Sequence, residues 1–492
     1  MRHDMRLAML AAAAAMVATA APVLAAGTPR EARRARNVIL FVGDGMGLST
    51  VTATRVYSVG VAGELVLDKF PYTALSRTYS ADSITPDSAP TMTAMMTGSN
   101  TNAGVLGLDA TTEFDDFNGD GDGRKLSTLL EQAKGRGMRV GVVSTARITH
   151  ATPAATYAHI NDRNDENAIA LQPLPGDPTY NERLGSGIDL LLGGGRQFFV
   201  PTGTPDEEGA NGSRSDGRDL RQEYQAKGYG YLWNKAGFDA LDRLPALGLF
   251  EASHMEYEYD RLTDTGGEPS LTEMTAKAIQ LLDRNNPAGF FLMVEAGRID
   301  HAHHEGNAFR ALTDAEQLDS AVGAAAGLVD LSETLIVVTA DHSHVFNIAG
   351  YPLRPLDELP YPAPAFDPAY AALAGNGILD VVYDVNLAGP TIEPSVDANG
   401  VPYTALVYGN GPGYRGTARV DPRDDPFPGR GGQIPDGPWD PVYFQEAAVP
   451  LGSETHAAEE VAIYAVGAGA QLVRGTVKNT FVYTTMARAL GF

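Results

Sequence analysis

Cysteine is absent from all 492 residues. That excludes disulfides and a lipidated cysteine anchor, so the folded chain must hold together through its core, which a chain of this length can build. Histidine is scarce, with ten residues, so any grouping of histidines carries information. Positive charge is in deficit: 37 Lys and Arg stand against 61 Asp and Glu, giving a formal net charge of −24. A field of that sign disfavours nucleic acid and anionic membrane as partners. It suits solubility, and some of the carboxylates are available to bind cations. Beyond the N-terminus no stretch reaches the ~18 consecutive apolar residues that a spanning helix needs.

Residues 1–26 read as a secretory signal peptide. The basic and polar Met1–Arg6 precedes an Ala-rich apolar run, Leu7–Ala21, and Val23-Leu24-Ala25-Ala26 offers a small-residue cleavage site. The mature chain is expected to start near Ala26 or Gly27, to be exported to periplasm or medium, and to form one domain over 27–492.

Short apolar, β-branched runs recur at Asn37–Val42, Val140–Ser144, Ile188–Leu192, Phe290–Glu295, Thr334–Ala340, Thr404–Tyr408 and Val461–Val466. Unbroken apolar runs of this length suit strands buried on both faces. Helical patterns lie between many of them, as at Lys125–Lys134, Leu271–Arg284 and Arg310–Leu328. The alternation predicts an α/β fold with a large, mainly parallel central sheet and helices on both faces. In such sheets, sites gather beyond the carboxyl ends of the strands, and there the runs give way to Gly, Asp, Glu, Ser or His. Residues 347–452, dense in Pro, Gly and Asp, read as an insertion on this core.

Five of the histidines fall in two tight clusters, each following a predicted buried strand and each holding acidic residues. His with carboxylate is the donor set expected for zinc. The first cluster is Val294-Glu295-Ala296-Gly297-Arg298-Ile299-Asp300-His301-Ala302-His303-His304. A helix starting here puts Asp300 and His304, four apart, on one face. The second is Val337-Val338-Thr339-Ala340-Asp341-His342-Ser343-His344, where Asp341 and His342 sit at a strand end. Gly43-Asp44-Gly45 follows another strand. It lacks the third glycine of a dinucleotide loop, and its carboxylate would repel a pyrophosphate, so Asp44 reads better as a carboxylate able to approach cations closely.

Asp87-Ser88-Ala89-Pro90 opens a predicted helix ending at Gly98. Ser88 would then sit at the helix N-terminus, where negative charge is favoured; by itself this pattern is a common serine cap. Thr149-His150-Ala151-Thr152 leads on to His159 and Arg163, whose guanidinium can grip two phosphate oxygens. Ser453-Glu454-Thr455-His456 precedes the last long strand pattern.

These passages, Val38–Gly47, Asp87–Gly98, Thr149–Arg163, Phe290–His304, Thr339–Phe346 and Glu454–His456, together resemble the alkaline phosphatase family. They occur in that family's order and span nearly the whole mature chain. The resemblance implies hydrolysis of phosphate monoesters, with inorganic phosphate as product and Ser88 as the nucleophile that becomes phosphoserine. It implies one zinc held by Asp300, His304 and His456 and a second held by Asp44, Asp341 and His342. Asp44 would also reach a magnesium, together with Thr152 and Glu295. Arg163 is implied as the phosphate clamp, His150 as a neighbour of the magnesium, and His344 as a neighbour of the zinc cluster, in a form similar to animal-type members. A fainter likeness implies calcium at Glu208, Phe250 (through its carbonyl), Glu251 and Glu268. Asp116–Asp122 looks like the start of another calcium loop, but its twelfth position is Ser127 rather than Glu. The family forms homodimers, with 347–452 as its crown-like insertion.

A phosphodiesterase or sulfatase with the same kind of metal site is the competing reading. Met92 stands where a formylglycine sulfatase would carry Arg, and Thr152 and Glu295 supply magnesium ligands that the phosphodiesterases usually lack.

Overall fold

The computed structural model describes residues 34–115, 123–352, 374–385, 392–396, 402–413 and 440–492. The expected signal peptide at 1–26, the loop Asp116–Asp122 and much of 347–452 lie outside the described residues.

Ten strands form one sheet. They are β1 (Asn37–Gly43), β2 (Tyr72–Arg77), β3 (Arg139–Arg147), β4 (Leu190–Gly194), β5 (Gly230–Leu232), β6 (Ala246–Leu249), β7 (Phe290–Ala296), β8 (Thr334–Thr339), β9 (Val461–Gly467) and β10 (Gly475–Lys478). Their spatial order is β10-β2-β9-β8-β1-β7-β3-β4-β6-β5. Only β9 runs against the others. Two consequences follow for the site. The carboxyl ends of β1, β3, β7 and β8 lie side by side, and the residues leading into the reversed β9 arrive at that same edge.

The helices that matter are α1 (Leu48–Val59), α2 (Ser88–Thr97), α3 (Leu129–Gly135), α4 (Ala151–Ala154), α5 (Leu271–Asp283), α6 (Arg298–His304), α7 (Ala308–Leu328) and α8 (Phe481–Leu490). They cover both faces. Val38, Leu40 and Val42 of β1 pack with α2, α3 and α8, whereas Ile39 and Phe41 face the cluster containing α1, α5 and α7. The period-two alternation of a strand explains the split. It also explains why β1, buried along its whole length, reads as an unbroken apolar run.

Helix starts follow side-chain chemistry. The expected helix at Lys125–Lys134 begins only at Leu129, because Thr128 accepts from the Glu131 N–H (3.1 Å) while Glu131 accepts from the Thr128 N–H (3.0 Å). Ser270 and Glu273 make the same reciprocal cap ahead of α5. Ser270→Ala should therefore lower stability by about 1 kcal/mol. The expected result is a lower urea midpoint at constant m-value, with turnover unchanged; an unmoved midpoint would remove that cap from the account.

Thr404–Tyr408, expected alongside the other core strands, belongs elsewhere. Leu406–Gly411 pairs with Phe346–Ile348 and Glu446–Pro450 in a separate three-stranded sheet. An apolar run shows that a strand is buried, not which sheet buries it. β2, β5, β6 and β10 escape the run-based reading: β5, β6 and β10 span three or four residues each, and β2 is partly exposed. No helix among the described residues is long and apolar enough to cross a membrane.

Candidate active site

Asp44 leaves β1 through a turn in which the Gly45 N–H donates to Asp341 Oδ1 (3.0 Å). Gly45 has φ +69°, and a Cβ there would lie 2.3 Å from His344 Nε2. Only glycine lets this backbone pass so close to the imidazole. Glu295 is the penultimate residue of β7, and α6 then carries Asp300 and His304 on one face, Oδ1 to Nε2 3.3 Å. Asp341 and His342 follow β8, and His456 enters ahead of β9.

Ser88 is the first residue of α2 and is buried. Its Oγ lies 3.4 Å from Asp44 Oδ1 and 3.2 Å from His342 Nε2. His342 Nε2 is in turn 3.3 Å from Asp44 and 3.4 Å from Asp341. The Thr152 hydroxyl lies 3.4 Å from Asp44 Oδ2, and Ser144 Oγ donates to Glu295 through a very short contact. On the other side of Asp44, Asp300 Oδ1 is approached by His344 (2.8 Å), His304 (3.3 Å) and His456 (3.3 Å). His342 and His456 stack at 3.6 Å between ring centroids.

Donor atoms within 4.8 Å of one another thus form three adjoining groups: Asp300, His304, His344 and His456; Asp44, Asp341 and His342; and Asp44, His150 and Glu295. His304 keeps 32% of its side chain exposed and Arg163 17%, while Asp44 and His342 keep none, so the site opens on the side of His304 and Arg163. Arg163 reaches Asp87 Oδ2 (3.3 Å) and His150 Nε2 (3.1 Å).

The electrostatics are those of a site built for cations. Burial, together with the carboxylates of Asp341, Asp300 and Glu295, pushes Asp44 well above the ordinary carboxylate range. Burial and Asp300 raise Asp341, and burial with the Asp341 charge pushes Glu295 up to about 7 against the hydrogen bond from Ser144. Burial would raise Asp300 too, but His304, His344 and His456 hold it well below its usual value. Burial and the neighbouring His456 push His342 well below the ordinary imidazole range, leaving it neutral and able to ligate. Asp341 Oδ2, Glu295 Oε1 and His342 Nδ1 are buried with no hydrogen-bond partner among the described residues. Crowded, buried carboxylates with unused oxygens beside neutral imidazoles fit divalent cations and fit nothing apolar.

Sequence reading did not assign several contributors. Glu454 accepts from His344 Nδ1, and its backbone carbonyl lies 2.6 Å from His304 Nδ1, so it orients two imidazoles. Asp87, beside Ser88, holds Arg163, and Ser144, the last residue of the run Val140–Ser144, holds Glu295. At the fainter cation site, Glu208 and Glu251 come together with Asp264, which was not foreseen. Glu268 is not within that group, although Glu251 and Asp264 both act on its charge. The Phe250 carbonyl accepts from Arg196 Nη1 at 3.3 Å.

Comparison with known proteins agrees with this architecture. The family model described as "Alkaline phosphatase" matches residues 35–492. The tissue-nonspecific alkaline phosphatase isozyme of Homo sapiens is 39% identical over 485 residues, covering 92% of this chain and 83% of its own. The alkaline phosphatase of Gadus morhua is 36% identical over 490 residues, with 93% and 92% covered. Among solved structures, Thermus thermophilus alkaline phosphatase superposes with a TM-score of 0.65 at 27% identity, covering 93% of this chain and 92% of that one.

Proposed function

This chain belongs to the alkaline phosphatase family, metal-dependent enzymes that hydrolyse phosphate monoesters, and we propose that it does so through a phosphoserine at Ser88. One zinc would be held by Asp300, His304 and His456 and another by Asp44, Asp341 and His342, with magnesium at Asp44, Thr152 and Glu295. Divalent cations bound there would lower the pKa of the serine hydroxyl and offset charge on the phosphoryl and leaving oxygens.

Ser88 Oγ attacks phosphorus, the ester P–O bond breaks, and the serine proton ends on the departing alcohol. Water then attacks the phosphoserine, the Oγ–P bond breaks, and inorganic phosphate leaves with Ser88 restored. Arg163 binds two phosphoryl oxygens through both steps, and Asp87 and His150 hold its guanidinium in place. Burial of Ser88 at the start of α2 surrounds the developing charge with N–H dipoles and excludes bulk water. The observation that carries this reading is Ser88 Oγ lying within 3.4 Å of both Asp44 and His342, members of one donor group, of which Asp44 is shared with the group of His150 and Glu295. The test is turnover of a chromogenic phosphomonoester against the matching diester, beside metal analysis of the purified protein. A chain that prefers the diester, or that holds no zinc, overturns the assignment.

Export as a signal-peptide precursor and assembly as a homodimer belong to the same proposal. So does calcium at Glu208, the Phe250 carbonyl, Glu251 and Glu268, with Asp264 added. Burial and neighbouring carboxylates raise Glu251 to about 7 and Glu268 to about 9. Raised acids favour folding while protonated, so without cation their contribution is full below the ordinary glutamate pKa. It falls as pH climbs to about 9. Added calcium should therefore raise the melting temperature more at pH 9 than at pH 5, and Glu251→Gln should shrink the difference. A calcium effect independent of pH counts against the site.

A further inference from the structure

Behind Arg163 lies a buried polar cluster that the chemistry above does not use. His159, four residues before Arg163, has its side chain fully enclosed, and so, within 1%, does Glu131 at the start of α3. His159 Nε2 is 2.6 Å from Glu131 Oε1 and its Nδ1 is 2.7 Å from the Gly107 carbonyl. Both ring nitrogens are thus engaged with oxygen partners, which fixes the plane and the position of the ring. Glu131 is fully engaged as well: Oε1 also accepts from Asn181 Nδ2 (2.6 Å) and Oε2 from the Thr128 N–H (3.0 Å). Its pKa lies below normal, burial being outweighed by His159 and these donors.

The cluster bears on Arg163 through two paired segments. Leu106 and Ile160 exchange both backbone hydrogen bonds (2.8 and 2.9 Å), and further along the Arg163 N–H donates to the Gly104 carbonyl (2.9 Å). The Gly104 N–H in turn donates to Asp87 Oδ2 (3.1 Å), the same oxygen that faces the Arg163 guanidinium. His159 is the side chain that pins these segments together at their buried end. Gly107, at φ +62°, is shaped around it: a Cβ there would lie 2.6 Å from His159 Nδ1. The Gly107 N–H is itself taken by Thr93 of α2, the helix that Ser88 opens (3.0 Å).

We propose that the buried His159–Glu131 pair is a positioning device for Arg163, setting phosphate affinity by fixing the 104–107 and 159–163 segments relative to α2. The proposal rests on Arg163 being the phosphate-binding group. A buried pair whose polar atoms are all engaged in hydrogen bonds has one low-energy geometry, whereas apolar packing there would tolerate sliding. A shift of about 1 Å in the guanidinium would be felt in ligand affinity.

The experiment is a double-mutant cycle on the metal-loaded enzyme, read as the inhibition constant for inorganic phosphate well below each variant's melting temperature. His159→Asn should raise that constant about tenfold, and Glu131→Gln, which retains shape and loses charge, should raise it severalfold. Arg163→Ala should raise it further, and adding His159→Asn to Arg163→Ala should change phosphate affinity no more while still lowering the melting temperature. Unchanged phosphate affinity in a folded His159→Asn protein overturns the device. If that protein does not fold, Glu131→Gln decides in the same way. An equal loss in both backgrounds also overturns it, because the pair would then act without Arg163. An Arg163→Ala protein with wild-type phosphate affinity sinks the underlying reading of Arg163 itself.

Discussion

Ser88→Ala is expected to cut turnover of a phosphate monoester by at least about three orders of magnitude, the scale on which loss of a covalent nucleophile is felt. The substitution removes one oxygen and leaves the ligand groups intact: Asp44, Asp341 and His342 are fixed by strand ends and by the Gly45 N–H, not by the serine. Bound zinc should stay near its wild-type level. Fold stability should change little, since the Ser88 hydroxyl lies at 3.4 and 3.2 Å from its neighbours and makes no short bond that the fold depends on. Rapid quenching in acid with labelled phosphate should trap a serine ester in the parent and none in the variant. A Ser88→Ala protein that keeps parental turnover would remove Ser88 from the reaction.

Stripping the metals should be as damaging to activity and far more damaging to stability. Without cations the folded chain confines Asp44, Asp300, Asp341 and Glu295 at one sheet edge, all fully or almost fully buried. Three of these four are pushed upward by burial and one another, which means their ionised forms oppose folding. Ligands that bind only the folded site stabilise it by about 4 kcal/mol at a thousandfold excess over Kd, and relief of carboxylate repulsion is part of that gain. Treatment with a strong chelator should abolish turnover and lower the melting temperature by several degrees or more. The loss should be larger at pH 9 than at pH 6, because raised acids are more fully ionised at the higher pH, Glu295, at about 7, among them. Zinc with magnesium should restore both properties. A chelated protein that keeps its melting temperature at pH 9 would show that the clustered carboxylates do not need cations.

The fold class was legible because the strands nearest the site are buried on both faces and so appear as apolar runs ended by polar residues. Runs of this kind located β1, β7, β8 and β9 to within one residue and β3 to within three. The same rule misplaced Thr404–Tyr408 and passed over the short or exposed strands, for which a run of apolar residues has no room or no need. Asp44, Glu295, Asp300, His304, Asp341 and His342 were singled out because each follows or ends such a run.

What the sequence determined by itself is the set of donors and where each sits along a strand or helix, since residue type and local periodicity are local properties. The spacing of Asp300 and His304 on one helical face is one example; the start of a helix at Ser88 is another. What only the tertiary structure decided is which donors meet. The order of β8, β1, β7 and β3 brings Asp341, Asp44 and Glu295 together, and the reversal of β9 delivers His456 to the same edge. The supporting contacts of Glu454, Asp87, Ser144 and Glu131 were hidden for the same reason. A hydrogen bond between residues a hundred positions apart leaves no periodic trace in the chain; it exists only once the strands have chosen their neighbours.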